Sequence, residues 1–384
     1  MEAGTSAGVY ELPPDFAEFR DAIRRIVGER VTPRAAAIDA SAEYPWDLRE
    51  LFAQHDLLGL PFSAELGGTG TGTLMLNVAV EEVARACATS ALILMVQDLG
   101  TLPIRLFGTP EQQRAWLPRC ASGEWSPAFA LSEAEAGSDP ASMRTRAVRD
   151  GDEWIISGTK SWTSNASIAE FYVVFALTDS ETRRITAFIV ESDRPGFAVG
   201  KLEHKLGIRG MPTGSLMFDD VRVPDANRIG DVGKGLGVAL ATLERSRLGA
   251  AAQAVGIAQG AIDYAVGYAK ERVAFGSPII ELPVMQAKLA DMQTKTAAAR
   301  ELLYRASAMA DRNDPELATY SSMAKLFASD TAMDVTVEAV QVLGGYGYVT
   351  EYPVERMMRD AKITQIYEGT NEIQRLVIGR ALAR

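Results

Sequence analysis

Apolar side chains recur every three or four residues through the first third of the chain. After a pair of prolines, this spacing places the following residues on one face of a helix: Phe16, Phe19, Ile23, Ile26 and Val27. Similar runs predict further helices around 47–58, 74–88 and 110–119. We therefore expect a helical N-terminal region that ends near residue 127.

From residue 128 the pattern changes to short runs of β-branched and aromatic residues. These runs lie at 154–156, 171–176, 185–190 and 215–218, and turns that contain glycine or aspartate separate them. Such spacing is typical of an antiparallel sandwich or barrel, which needs about a hundred residues. The sequence therefore predicts a middle β domain.

Long helical patterns return after Gly237. Segments 238–273, 284–312 and 316–343 contain few helix breakers, and a shorter helix is predicted to follow Thr370. Long helices joined by short loops are typical of a bundle. The predicted fold class is therefore α+β multidomain, with an N-terminal helical domain (1–127), a middle β domain (128–237) and a C-terminal four-helix bundle (238–384).

Composition narrows the possible functions. The chain has 384 residues, 47% of them hydrophobic, and a formal net charge of −11, which argues against nucleic acid or an anionic membrane as the main partner. Two cysteines (Cys87, Cys120) and two histidines (His55, His204) leave few candidates for a metal site or for Ser-His or Cys-His catalysis. We expect no metal, and chemistry that relies on carboxylates and an organic cofactor.

The compartment is also suggested by the sequence. The opening MEAGTSAGVYELPP has no basic segment followed by an apolar stretch, so no secretory signal is predicted. No apolar run is expected to span a bilayer. We therefore expect a bacterial cytoplasmic protein, with a processed mitochondrial matrix protein as the alternative.

Two stretches of the β region carry side chains suited to a flat polar ligand. ALSEAEAGSD at 130–139 and KSWTSN at 160–165 offer hydroxyl groups on loops, which can bond a polar ring or a phosphate. Gly137 allows a ligand to approach the backbone, and Trp162 offers a broad aromatic face. Ordinary turn chemistry with a core tryptophan is the alternative for either stretch alone.

These stretches form a larger set with Arg272-x-x-Phe275-Gly276, with QVLGG at 341–345 and with IYEGTNEIQR at 366–375. The set, in this order, resembles the acyl-CoA dehydrogenase family over nearly the whole chain. The resemblance implies the helix–sheet–helix fold and FAD bound between the sheet and the C-terminal bundle. It also implies a homo-oligomer, commonly a tetramer, in which neighbouring subunits share the FAD sites.

The resemblance assigns the FAD contacts residue by residue. Residues implied to line the cofactor of the same subunit are Leu131, Ser132, Gly137, Ser138, Trp162, Thr163, Ser164, Thr370 and Glu372. Residues implied to receive the adenosine diphosphate end from a neighbouring subunit are Arg272, Phe275, Gln341, Gly344 and Gly345. A guanidinium such as that of Arg272 suits a diphosphate. Pro283 stands where many relatives have a glutamine close to FAD, which leaves one cofactor hydrogen bond open.

Glu368, in Tyr-Glu-Gly-Thr, aligns with the catalytic base of the family. Removing a proton next to a thioester needs a base whose pKa is raised by burial. A solvated loop carboxylate is the alternative interpretation. Gly369 is expected to let the acyl chain pass close to the backbone. Asn371 and Gln374 are predicted to form a capping box at the start of the last helix.

Some relatives carry the base on the long helix instead, at the position of Ser246. Serine cannot do this unaided, and Glu244, rotated by about 200° around the helix, cannot replace it from the same face. The resemblance implies that Glu244 and Arg247 hold the CoA moiety; an exposed i, i+3 charge pair is the alternative. Phe129 and Ser138 are further implied substrate contacts.

The implied reaction is FAD-dependent α,β-dehydrogenation of an acyl-CoA. In the family, the Glu368 backbone N–H and an FAD ribityl hydroxyl polarise the thioester oxygen, and electron-transfer flavoprotein is the usual electron acceptor. A flavin oxidase or monooxygenase and a non-catalytic scaffold are the alternatives on the same fold. The acyl chain and the choice between CoA and acyl carrier protein stay open. Residues 95–99 are expected near the pocket floor, where Gln97 and Asp98 limit its depth or else face solvent at a helix end.

Overall fold

A computed structural model describes residues 12–383. Within this range the chain runs from helices through a sheet to a second set of helices, as predicted. The segment used to exclude a secretory signal lies mostly outside the described residues.

The described part of the N-terminal region, from residue 12 onward, contains six α-helices. Their bounds are α1 Pro14–Ile26, α2 Ala35–Ser41, α3 Trp46–Gln54, α4 Gly72–Ala86, α5 Ala88–Phe107 and α6 Pro110–Ala121. The predicted amphipathic helices all form. Helix α5 was not predicted, because it is buried on nearly every side and has no polar stripe.

In length and apolar composition α5 could cross a bilayer. However, 78% of its most apolar window is buried inside the folded chain. Such burial is typical of a helix in the core of a folded domain. Within residues 12–383 no other helix has this length and composition.

The middle region forms one eight-stranded sheet, with strand order β6-β7-β3-β2-β4-β5-β8 and β1 beside β4. The bounds are β1 Pro127–Ala130, β2 Arg146–Asp150, β3 Glu153–Ser164, β4 Phe171–Asp179, β5 Arg184–Glu191, β6 Phe197–Leu202, β7 Thr213–Pro224 and β8 Arg228–Ile229. The sheet is mixed and not purely antiparallel as predicted, because β1 runs parallel to β4. An apolar pattern specifies which residues face a core and does not specify the direction of the neighbouring strand.

Strand β4 is buried on both faces. Phe171, Val173 and Phe175 pack in a core that includes Leu117 of α6 and Val238. The alternate residues of β4 pack in a separate core with Trp154 and other residues of the sheet. Burial on both faces explains why β4 reads as a continuous apolar run.

Five helices and a small hairpin follow the sheet. Their bounds are α7 Gly235–Glu271, β9 Val273–Ala274, β10 Ser277–Pro278, α8 Pro283–Asp311, α9 Leu317–Leu343, α10 Pro353–Thr364 and α11 Asn371–Leu382. The helices of the predicted bundle are all present, and α10 adds one that was not predicted.

Helix α7 joins the two helical regions into one core. Gly256 and Gly260 of α7 face the backbone of α4 so closely that an added Cβ atom would lie 2.2 Å from the Glu81 carbonyl oxygen and 2.1 Å from that of Arg85. Glycine is required at both positions because nothing larger fits between these backbones. The close contact fixes α7, which carries Ser246 and Arg247, against the N-terminal helices.

Candidate active site

Glu368 lies in a tight turn between α10 and α11. Its φ is +56° and that of Gly369 is +88°, so both residues are in the left-handed region. This conformation is unusual for a non-glycine residue and requires support from its surroundings. The turn ends at Thr370, whose hydroxyl oxygen accepts a hydrogen bond from the Ile373 N–H.

The predicted capping box at Asn371 and Gln374 is wrong. Thr370 caps α11, one residue earlier than expected. The amide of Gln374 instead donates to the carbonyl oxygens of Glu368 (3.2 Å) and Gly369 (2.9 Å). The sequence pattern was misread because the Gln374 side chain bonds the strained turn and not the helix N-terminus.

Glu368 is half-buried, and its carboxylate is held by a side chain of α7. The Ser246 hydroxyl of α7 donates to its Oε2 atom at 2.6 Å. Burial raises the pKa of Glu368; the Ser246 hydrogen bond and the charges of Arg247 and Lys325 oppose this rise, and Asp98 adds to it. Glu368 is therefore a half-buried, hydrogen-bonded carboxylate and not a freely solvated one, and its raised pKa makes it a stronger base than a carboxylate in water.

Two buried cations support the turn. Lys325 of α9 donates to the Gly369 carbonyl oxygen at 2.7 Å and to Asn371 Oδ1 at 2.9 Å. Arg247 of α7 donates to Ser322 Oγ at 2.6 Å and to Gln374 Oε1 at 3.1 Å. Lys325 was not singled out from the sequence, and Gln374 was assigned to a capping box and not to the support of this turn. The signal for Lys325 is a lone lysine within the nearly uncharged stretch SSMAKLFAS.

Arg247 is buried, with 6% of its surface exposed, and the alternative of an exposed charge pair with Glu244 is wrong. Burial lowers the pKa of Arg247, while the nearby carboxylates of Glu368 and Glu244 oppose this change. Glu244 is half-buried on the same helix. Contact of either residue with CoA stays a prediction.

The stretch around Trp162 forms an aromatic platform on the sheet. Strand β3 is irregular between Lys160 and Thr163, and Trp162 has a φ of +62° and 63% of its surface exposed. The buried Thr163 Oγ1 atom beside it has no hydrogen-bond partner within residues 12–383. An exposed aromatic face next to an unpaired buried hydroxyl fits a flat polar ring.

A buried ion pair connects this platform to the loop that follows β1. Lys160 Nζ donates to Glu133 Oε1 (2.8 Å) and to the Leu131 carbonyl oxygen (3.1 Å). The Ser161 N–H donates to the Ser132 carbonyl oxygen at 2.9 Å. The predicted residues Leu131, Ser132 and Trp162 are thereby brought together on two adjoining segments. The ion pair itself was not predicted.

The residues of this loop differ in exposure. Leu131 is buried, Ser132, Phe129 and Ser164 are half-buried, and Gly137 and Ser138 are exposed. At the start of the last helix, Thr370 is half-buried and Glu372 is exposed. The exposed positions are free to meet a ligand.

A second predicted group lies on the surface of the bundle. Its members, all exposed, are Arg272, Phe275, Gln341, Gly344 and Gly345. Phe275, in the turn between β9 and β10, is 94% exposed with a φ of +54°, and the Arg272 guanidinium lies 5.9 Å from the centre of the Tyr346 ring. Pro283 is the first residue of α8.

The interpretation that places Gln97 and Asp98 in solvent at a helix end is wrong. Both are buried in the interior of α5. Gln97 donates to the carbonyl oxygens of Cys120 (2.7 Å) and Trp125 (3.0 Å), and Asp98 forms an ion pair with Arg105. A limit on pocket depth at this position stays a prediction.

Family models match three successive parts of the chain. They are described as acyl-CoA dehydrogenase, N-terminal domain (residues 13–124), middle domain (128–221) and C-terminal domain (233–383). The chain is 46% identical over 381 residues to the probable acyl-CoA dehydrogenase FadE25 of Mycobacterium tuberculosis, covering 99% of this chain and 98% of the relative. The chain belongs to the acyl-CoA dehydrogenase family.

Solved structures agree with this assignment. Butyryl-CoA dehydrogenase from Megasphaera elsdenii has a TM-score of 0.95 and 40% identity, with 98% of this chain and 100% of that chain covered. A chain in a structure of the electron transferring flavoprotein of Acidaminococcus fermentans has a TM-score of 0.95 and 41% identity, with 98% and 99% covered.

An acyl-CoA dehydrogenase complexed with FAD from Bacillus anthracis has a TM-score of 0.91 and 31% identity, with 97% of this chain and 67% of that chain covered. The protein is accordingly an FAD-dependent oxidoreductase. The aromatic platform at Trp162 and the unpaired Thr163 hydroxyl fit this cofactor.

Proposed function

We propose that the protein converts a saturated acyl-CoA into the trans-2-enoyl-CoA, and that Glu368 is the base that takes the α proton. The observation that carries this proposal is the half-buried Glu368 carboxylate, which lies in a strained turn, accepts a hydrogen bond from Ser246 and has a pKa that burial raises. Family membership supports acyl-CoA dehydrogenation as the reaction class.

The geometry of Glu368 suits proton abstraction. Ser246 bonds Oε2, and within residues 12–383 no donor bonds Oε1, which is therefore free to accept the α proton. The α carbon of a thioester is weakly acidic, so a carboxylate with a raised pKa is better matched to it than one in water. When bound, FAD supplies the acceptor for the hydride that leaves the β carbon.

The backbone of Glu368 has a second role in this proposal. Within the described part of the chain its N–H donates to no acceptor. A free N–H can donate to the thioester oxygen, on which negative charge develops as the α proton leaves. The left-handed turn would thus present a donor for the carbonyl and a base for the proton from one residue.

Ser246 supports Glu368 as the base. It stands where some relatives carry the base on the long helix, but its hydroxyl proton is directed at the Glu368 carboxylate. A neutral serine hydroxyl is too weak a base to remove an α proton unaided. We assign Ser246 to orienting Glu368.

The substrate assignment is tested by anaerobic mixing with a panel of saturated acyl-CoA thioesters of increasing length and branching. We expect members of the panel to bleach the flavin at rates on the order of 1–10³ s⁻¹, and we expect electron-transfer flavoprotein to reoxidise it. The matching trans-2-enoyl-CoA serves as the control, since its α–β bond is already unsaturated and it cannot reduce the flavin by α,β-dehydrogenation. Fast reoxidation by oxygen with release of peroxide would instead indicate an oxidase.

We propose that the exposed group around Arg272 and Phe275 covers the FAD of a neighbouring subunit, in a homotetramer of the bacterial cytoplasm. Several apolar side chains on these segments are exposed together, namely Val273, Phe275, Tyr346 and Tyr348, as is expected of a surface that another subunit covers.

Dilution to monomers should therefore release the flavin. Sedimentation velocity monitored by flavin absorbance tests this: we expect one FAD per subunit in the oligomer and no flavin absorbance at the monomer boundary. A monomer that retains flavin would contradict the shared site.

A further inference from the structure

Lys325 is a buried lysine in the C-terminal helical bundle. It lies in the middle of α9 and has 0% of its surface exposed. Its ammonium group donates to the Gly369 carbonyl oxygen and to Asn371 Oδ1. Both acceptors are neutral oxygens on the segment that directly follows Glu368.

Burial of the Lys325 ammonium group is energetically unfavourable for the folded protein. Burial of an ammonium group is costly, and a neutral side chain of similar volume fills such a site with less loss of hydration. Burial lowers the pKa of Lys325 to about 7; Glu368 opposes this change first, Arg247 reinforces it, and Asp330 and Glu372 oppose it. The charge therefore costs stability at a position of α9 that also contacts the Glu368 turn.

The turn needs support of this kind. Glu368 has a φ of +56°, in the strained left-handed region, and such strain persists only where neighbouring groups hold it. Gln374 and Lys325 both donate to the Gly369 carbonyl oxygen. Of these two donors, only Lys325 carries a charge.

We propose that Lys325 is a positioning residue for the base: it holds the Glu368–Gly369 turn in its left-handed conformation and places a positive charge near the Glu368 carboxylate. The inference rests on the proposed role of Glu368. Lys325 would thereby influence the reaction through the Glu368–Gly369 turn and without touching the substrate.

The charge has a defined consequence for the base. The groups that face the Glu368 carboxylate are Ser246 and Arg247 of α7, Lys325 of α9 and Asp98 of α5. Lys325 is protonated on the acid side of pH 7, where it stabilises the ionised form of Glu368. Without this charge, Glu368 becomes protonated at higher pH and the acid limb of the rate profile moves upward.

The test compares three variants of the holoenzyme. Lys325→Gln can still donate to the Gly369 carbonyl but is neutral, and Lys325→Met does neither. Lys295→Met is the matched control, since Lys295 forms an exposed ion pair between α8 and α9 with Asp334. The measurement is the rate of flavin reduction at saturating acyl-CoA from pH 5.5 to 9.

We expect Lys325→Met to reduce the flavin about 10-fold more slowly than wild type at pH 8 and about 100-fold more slowly at pH 6. Lys325→Gln is expected to lose rate mainly at pH 6, because it keeps the hydrogen bond and loses the charge. Lys295→Met should match wild type throughout. A Lys325→Met variant with the wild-type rate profile, or with a loss that is the same at every pH, would overturn the proposal.

A readout without catalysis accompanies the rates. Reaction of Glu368 with a water-soluble carbodiimide and glycinamide, followed by mass spectrometry of the peptide that contains Glu368, reports the protonation of this carboxyl. We expect its pH dependence to shift upward in Lys325→Met and in Lys325→Gln. Unchanged labelling in both variants counts against the inference. If Lys325→Met does not fold, as judged by FAD content, Lys325→Gln decides the question alone.

Failure of this inference can be separated from failure of the proposed function. Glu368→Gln is measured alongside. If Glu368→Gln still reduces rapidly, the base assignment is wrong, whatever Lys325 does. If Glu368→Gln is inactive and the Lys325 variants behave as wild type, only the role of Lys325 is wrong.

Discussion

Replacing Glu368 by glutamine is expected to slow flavin reduction by acyl-CoA by several orders of magnitude. The amide keeps the shape of the side chain and can still hydrogen bond to Ser246, but it cannot accept the α proton. A general base is typically worth about 10²–10⁴-fold. We expect the upper end or more, because loss of the hydride depends on negative charge developing at the α carbon. Anaerobic stopped-flow bleaching of the flavin measures the effect.

Glu244→Gln is the matched control for this experiment. Glu244 lies on α7 two residues before Ser246, on another face of the helix. We expect this variant to bind acyl-CoA more weakly and to keep most of the reduction rate at saturation. If Glu244→Gln loses the reduction step and Glu368→Gln keeps it, the base resides on α7. Both variants should retain FAD, which excludes a folding defect.

Replacing Lys160 by methionine should destabilise the middle domain by about 3–5 kcal/mol, the usual consequence of removing one partner of a buried ion pair. Lys160 is fully buried, and its pKa is lowered by burial to about 8 although Glu133 opposes the change. Burial opposes the ionisation of Glu133, but Lys160 and the hydrogen bonds from Thr145 and Arg144 together hold the pKa of Glu133 below its usual value. The variant would leave Glu133 as an uncompensated charge.

The loss of stability should appear as a lower midpoint of thermal unfolding of the holoenzyme. The flavin should also dissociate at a lower temperature, seen as a rise in its fluorescence, because the same ion pair holds the Leu131–Ser132 loop. Lys201→Met is the control: its ion pair with Glu203 is exposed, and such a pair contributes about 0–1 kcal/mol. Adding Glu133→Gln to Lys160→Met should recover part of the stability, since the stranded charge is removed. A Lys160→Met midpoint equal to that of wild type would show that the pair has no structural role.

Periodicity predicted the elements whose faces differ in polarity. Helix α1 was found in this way, because its apolar residues recur at the period of a helix, whereas strands β3, β4, β5 and β7 were found as short runs of β-branched and aromatic residues. It did not find α5, whose surface is buried nearly all round, nor the parallel direction of β1 beside β4. Those depend on neighbours that lie far away along the chain.

By itself, the sequence determined the family, the three-part fold, the cofactor and the residue proposed as base, since these follow from local patterns and from motifs preserved in order. Only the tertiary structure decided how Glu368 is held. Ser246, Lys325 and Gln374 lie on three different helices and meet at one turn. The burial, the hydrogen bonds and the neighbouring charges of Glu368 come from residues that are far apart along the chain. They therefore cannot be predicted from any single stretch of the sequence. For the same reason, the sequence did not show that Arg247, which the resemblance implies to contact CoA, is buried and hydrogen-bonded to Gln374 next to the turn.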